Sequence, residues 1–288
     1  MTQQVINKQK LSEDIFTRTE SFIVVLDSRN ATDYNNGSSN SSLIFQLDDS
    51  IRKPPNSFLM TYSVFTFTCP ISFYQLNATN NSLVILLNGT TTTYSFPYGN
   101  YNVNTFIAQF QALLPSSFTL TFNTINNVFT ITNSLNNFSI LGSSTIGSVM
   151  GFVKGKSYIS SSNAITLPYT VNFGGINSFN ILCRNILTKN INSYSACVSS
   201  IIASVPINNA QNNTIYYEKK VNMDFIFPYE TLDYIQIDIQ DDLGNFIDFN
   251  NQNWNLVLVF NNYEDVEKST KDNFYDITGF VLDTPNLT

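Results

Sequence analysis

The sequence predicts an all-β fold, an antiparallel β-sandwich interrupted once by a small α+β insertion. Three observations point there. Short apolar or alternating runs recur on both sides of residues 70–167, separated by turn-rich loops. The one strong helical pattern lies inside that window. Phe and Tyr number 24 and 15, an excess that favours strands and aromatic contact surfaces.

The 288 residues suffice for a well-buried core. Hydrophobic residues make up 43% but charged residues only 12%, so Asn, Ser and Thr supply the polarity. Disordered chains carry the opposite bias, low hydrophobicity with high charge. Residues 1–20 lack periodicity and are expected to be an arm. Eight strands follow: 21–27, 42–48, 57–67, 176–183, 197–206, 214–221, 232–240 and 254–261. The Asn-Gly-rich stretch 33–42 and Pro54-Pro55 break the early strands. Ile235, Ile237 and Ile239 alternate with Gln236, Asp238 and Gln240, the pattern of a strand with one face buried. Leu256 to Phe260 is continuously apolar, which suits burial on both faces or a subunit interface. Residues 263–288 form a polar, acidic tail.

Within 70–167 the sequence predicts a β-β-α-β-β unit. Leu83–Leu87 and Thr90–Phe96 flank Asn88-Gly89, a favoured two-residue hairpin turn. Phe106, Ile107, Phe110, Leu113 and Leu114 fall on one face of a helix over Val103–Leu114. Asn102 or Asn104 offers the N-cap and Pro115 the stop. A second hairpin is expected over Phe118–Phe122 and Val128–Thr132, and a strand at Phe138–Leu141. Gly142, Gly147 and Gly151 are expected to permit tight turns rather than to cradle phosphate. The jelly roll is the eight-stranded antiparallel sandwich that suits strands joined by long loops. Another β-sandwich with an added α+β domain is the alternative.

Reactive chemistry is sparse. The chain has no histidine, which removes His-dependent nucleophile activation and His-ligated metal. A carboxylate pair is the remaining option, but of the glutamates only Glu218 and Glu230 lie within the presumed sandwich, and both sit in unsuitable contexts, beside lysines and in a turn. Asp238, Asp241, Asp242 and Asp248 could bind Ca²⁺, but 240–245 is more simply a hairpin turn. Catalytic, cofactor and metal sites are therefore all expected to be none. Trp254 is expected to anchor the core or an interface, with glycan binding as the alternative. Cys69, Cys183 and Cys197 are odd in number and widely spaced, as for reduced, packed thiols. The sequons at Asn30, Asn77 and Asn137 follow from composition.

Net charge is −7, which makes nucleic acid an unlikely ligand; Lys8, Lys10 and Arg18 form at most a weak basic arm. No apolar run approaches the ~20 residues of a membrane span. Neither a signal peptide nor a disulfide framework is visible, so assembly in a reducing, intracellular place is expected.

Five segments, in order, resemble the penton (vertex) capsid proteins of virophages and polinton-like viruses. They are Glu20–Thr32 (ESFIVVLDSRNAT), Phe65–Gln75 (FTFTCPISFYQ), Phe96–Tyr101 leading into the helix, Met150-Gly151-Phe152, and Tyr234–Phe260 with its Asp-x-x-Gly hairpin and Trp strand. Met150 stands where that family often has Leu, and the tail past 262 has no counterpart. The resemblance implies a jelly roll with an insertion domain and no catalytic residues. It further implies a homo-pentamer at the icosahedral vertices of a virion, set among double-jelly-roll major capsid proteins. A host receptor or glycan would be met through the insertion. The alternatives are a minor capsid protein, half of a double jelly roll, or a carbohydrate-binding sandwich that recognises hosts.

Overall fold

The computed structural model describes residues 16–34, 40–55, 57, 59–186, 190–191, 198–220 and 224–265. In chain order these form β1 (Phe16–Asp27), β2 (Asp33–Tyr34), β3 (Ser42–Arg52), β4 (Leu59–Pro70), β5 (Ser82–Leu87), β6 (Thr90–Ser95), α1 (Val103–Leu113), β7 (Phe118–Asn123), β8 (Val128–Asn133) and β9 (Phe138–Ile140). There follow α2 (Gly147–Met150), β10 (Tyr158–Ile159), β11 (Ala164–Thr166), β12 (Ser178–Cys183), β13 (Asn190–Ile191), β14 (Val198–Ser199), β15 (Ile201–Pro206), β16 (Thr214–Glu218), β17 (Phe225–Ile226), β18 (Thr231–Asp241) and β19 (Asn255–Asp265). The chain divides into two compact units, residues 1–72 with 178–288, and residues 73–177.

The first unit is a jelly roll, as its strand order demonstrates. One sheet runs β1-β19-β4-β16, with β17 also on β4; the other runs β15-β12-β18-β3-β2. Numbering the long strands by their place in the chain gives first-eighth-third-sixth against second-seventh-fourth-fifth. That is the order of a double Greek key, and every pairing within both sheets is antiparallel. Short β2 and β17 and the β13–β14 pair add to the expected eight.

The core between the sheets follows the period-two pattern. Ile235, Ile237 and Ile239 of β18, Leu43 and Phe45 of β3, and Phe179 and Ile181 of β12 are buried from one side. Leu256, Leu258 and Phe260 of β19 and Phe67 of β4 are buried from the other. Phe67 meets Phe179 edge-on at 5.7 Å between ring centroids. The apolar run in β19 is buried on one face only, because Val257 and Val259 are half-buried on the other. Asp238 departs from the expected alternation and is buried, where Ser42 Oγ (2.6 Å) and Arg184 Nε (2.5 Å) donate to its two carboxylate oxygens. Residues 16–20 of the expected arm and 263–265 of the expected tail are strand, and the rest of both segments lies outside the described residues. Residues 16–20 pair with 262–265 as one antiparallel extension, Phe16 opposite Asp265.

The second unit has its own core. Two sheets, β10-β9-β5-β6 and β11-β8-β7, bury a cluster that includes Phe96, Phe106, Phe110, Phe118, Phe129 and Phe138. The two hairpins, β5–β6 and β7–β8, thus belong to different sheets. Asn88 and Gly89 have φ of 50° and 80°, the left-handed pair that lets β5 return directly into β6. Asn102 caps α1. The unit runs to Asn177, past the expected end at 167, because the aperiodic stretch after β11 is pinned to it. Leu167 N donates to Phe129 O (2.8 Å), Asn172 N to Val149 O (2.9 Å), and Phe173 packs on Phe106. The glycines do more than turn the chain. Gly151 has φ +92°, and a Cβ there would lie 2.1 Å from Tyr169 O.

Candidate interaction surfaces

The structure disperses the candidate reactive groups. Glu218 sits exposed on β16 in the first sheet, while exposed Glu230 leads into β18 in the second. Asp238 is consumed by its buried pairing with Arg184 and Ser42. Asp241 instead closes its own hairpin, accepting from Leu243 N (2.9 Å) and Asn245 N (2.8 Å). Asp248 accepts from Asn250 N at 2.9 Å. Among the described residues, no three His, Cys, Asp or Glu side chains come together as a metal site would need.

Trp254 is an anchor within the core. It is 2% exposed, its indole Nε1 donates to Asn40 O at 2.6 Å, and its ring lies against Phe45 and Phe67. Cys69 and Cys183 are free and buried, and burial pushes both thiols up to about 12, so neither is a nucleophile at neutral pH. Cys197 lies outside the described residues.

Two surfaces of the first unit stand out among the described residues. The first is the end of the jelly roll where four connections lace together. Trp254 N donates to Ser28 Oγ (3.0 Å) and Asn40 Nδ2 to Gln252 O (3.2 Å), tying the connection after β1 to the one before β19. Ser72 Oγ donates to Phe249 O (2.6 Å), and Ile71 N to Asn213 O (2.8 Å), which adds the connections after β4 and before β16. Strand parity requires this gathering, since in an antiparallel count these four connections share one end. Arg29 projects here, bridged to Asp27 at 2.5 Å, and the pairing holds the Asp27 carboxyl below its ordinary range.

The second surface is made by the two edges of the first sheet's outer face, whose middle is buried at Thr61, Ser63 and Asn261. Cross-strand register puts Ile23 beside Val259 and Val25 beside Val257. Val257 continues to Thr66 and Glu218, and Asn255 to Thr68 and Tyr216. Ile23 and Val25 are 62% and 56% exposed at one edge, and Tyr216 and Ile226 are 62% and 60% exposed at the other. Phe65, at the irregularity between β4 and β19, is exposed between them. Sequence reasoning found the apolar content of these strands but not which edges it would crowd, because edge position depends on pairing.

No helix among the described residues is long and apolar enough to cross a membrane. No family model matches the chain, and no curated protein matches it. Among solved structures, the chain is similar to VP17, a capsid protein of bacteriophage P23-77, at 7% identity over 86% of this chain and 99% of that one, with a TM-score of 0.19. It is also similar to the mavirus penton protein, at 12% identity over 84% of this chain and 100% of that one, with a TM-score of 0.46.

Proposed function

We propose that this chain is a structural capsid protein, a penton in which five identical copies close a ring at each vertex of an icosahedral virion. The jelly-roll strand order carries this reading, because three of the five segments that resemble the penton family are elements that build it, and the other two lie in the insertion. Glu20–Thr32 is β1 with its outgoing connection, Phe65–Gln75 is the exit from β4, and Tyr234–Phe260 runs from β18 in one sheet to the first half of β19 in the other. The mechanism is geometric. Heterologous contacts, one surface of a copy against a different surface of the next, generate a closed ring when the rotation fits. Low charge content and exposed aromatics favour such contacts, since interface cores are depleted in charge. On this reading the chain has no catalytic role. It sits in the capsid, is assembled inside the host cell, and has double-jelly-roll major capsid proteins as neighbours. The insertion is offered to a host receptor or glycan.

A glycan-binding sandwich built on Trp254 is disfavoured, since that ring is enclosed by Phe45 and Phe67. Native mass measurement of the purified protein tests the penton reading. The expected species is five times the 32.5 kDa chain, appearing with rising concentration or on addition of major capsid protein. A stable trimer would refute it.

A further inference from the structure

We infer that the ring contact is an edge-to-edge continuation of the first sheet, with β1 of one copy against the β16–β17 edge of the next. This rests on the proposed self-assembly and names the surface that performs it.

β1 is a long strand at the end of its sheet, and no described strand pairs with its outer side. Ser28 N donates to Trp254 O at 3.0 Å. By the two-residue alternation of an antiparallel ladder, Leu26, Val24 and Phe22 then also bond to β19. The N–H and C=O groups of Val25, Ile23 and Ser21 consequently point away from the sheet. The register is regular from Glu20 to Asp27, with its one shift before Glu20. Two other edges are blunted. β2 spans two residues. At β7, the Gln111 amide, oriented by its two partners, donates to Phe118 O (3.2 Å) and accepts from Leu120 N (3.0 Å). β1 has no proline or lysine and offers Ile23 and Val25 to solvent.

The opposite edge of the same sheet has the matching character. Tyr216 and Ile226 are exposed there on the same face as Ile23 and Val25, as the rows Asp27–Asn255–Thr68–Tyr216 and Ser21–Asn261–Thr61–Ile226 require. Charge is sparse at both edges, although Glu218 and Lys220 are exposed at the far one. β1 carries none between Glu20 and Asp27, Asp27 is bridged by Arg29, and at the far edge Lys219 is bridged to Asp224 at 2.5 Å.

Strand direction selects the occupant. Three successive antiparallel pairings separate β1 from β16, so the two edges run in opposite senses. A second copy placed head to tail therefore adds its β16 antiparallel to β1, the more stable pairing. Two β1 edges could pair about a two-fold axis, but that would end at a dimer and leave the β16–β17 edge open.

Cysteine pairing tests this on the full chain. One chain carries Ile23→Cys or Val25→Cys, a second carries Tyr216→Cys, Glu218→Cys or Ile226→Cys, and this small panel covers strand stagger. Mild oxidation of the mixture should give a disulfide-linked pair of unlike chains, above the blank set by the wild-type cysteines. Placing both substitutions on one chain should give a ladder that stops at the ring size. Val25→Lys should raise the dissociation constant roughly tenfold or more by charging the edge.

A pentamer mass with no unlike cross-link, and with Val25→Lys without effect, overturns the edge contact and leaves the pentamer standing. A ladder ending at a number other than five keeps the edge contact and overturns the pentamer. Linked pairs of two Val25→Cys chains would establish the two-fold alternative and overturn the inference. A wild-type chain that stays monomeric without cross-linking, both at high concentration and with major capsid protein added, overturns both.

Discussion

Individual side chains in this protein divide between those that lock the core and those that the fold leaves with unmet needs. Trp254 belongs to the first kind, since its bulk fills the core while its one donor reaches Asn40 O. Tyr62 belongs to the second. Its ring stacks on Phe260 at 5.8 Å and meets Phe225, but its hydroxyl is buried without a hydrogen-bond partner. Burial accordingly pushes its phenol far above the ordinary range. An unsatisfied buried polar group costs about 1–3 kcal/mol. Tyr62→Phe keeps the ring contacts and removes the orphan, so it should stabilise the first unit by about 1 kcal/mol. A rise in thermal or denaturant midpoint would register this. A fall would show that the hydroxyl has a partner in the assembled or hydrated protein.

Elements were legible where the signal was local. The helix face built on Phe106 and Phe110, its stop near Pro115 and the Asn88-Gly89 turn were all readable from spacing and residue type, and the structure has them. The N-cap resolves to Asn102 in a reciprocal capping box. Thr105 N donates to Asn102 Oδ1, and Asn102 N donates to Thr105 Oγ1, both at 2.9 Å. Asn102→Ala should cost about 1 kcal/mol of stability in the unit that holds α1, and Asn102→Asp should retain most of it. Thermal melts of the three chains provide the comparison. What spacing could not convey was partnership. Phe22 pairs with Phe260 across nearly the whole chain, and no periodicity encodes that distance. Asp238 alternates like a surface residue and is buried only because Ser42 of β3 and Arg184, just past β12, arrive beside it. The candidate surface was hidden for the same reason, since Ile23 and Val25 look like core residues until β1 is placed at an edge.

At the scale of the whole molecule, the question is whether the insertion depends on the jelly roll that carries it. The contiguous core from Leu76 to Leu167 draws every member from the second unit. Its aromatic centre, with Phe96 on Phe106 at 4.9 Å and Phe106 on Phe129 at 5.7 Å, is complete without a residue from the first unit. The edge of β7 is capped from within by Gln111. The neck is also internal, because Gln75 Nε2 donates to Phe173 O and Tyr101 N donates to Gln75 Oε1 at 2.9 Å, tying the outgoing segment to the returning one. A domain with its own core and closed hydrogen bonding can fold alone. Residues 73–177 expressed by themselves should therefore melt cooperatively. The chain with these residues replaced by a short Gly-Ser linker should keep a folded sandwich, because β4 and β12 are held by their own sheets rather than by the insertion. Circular dichroism and thermal melting of both fragments check this directly. If 73–177 is unfolded alone and its removal also unfolds the remainder, the insertion is part of one cooperative unit. Function would then have to be assigned to the chain as a whole rather than to a frame and a replaceable head.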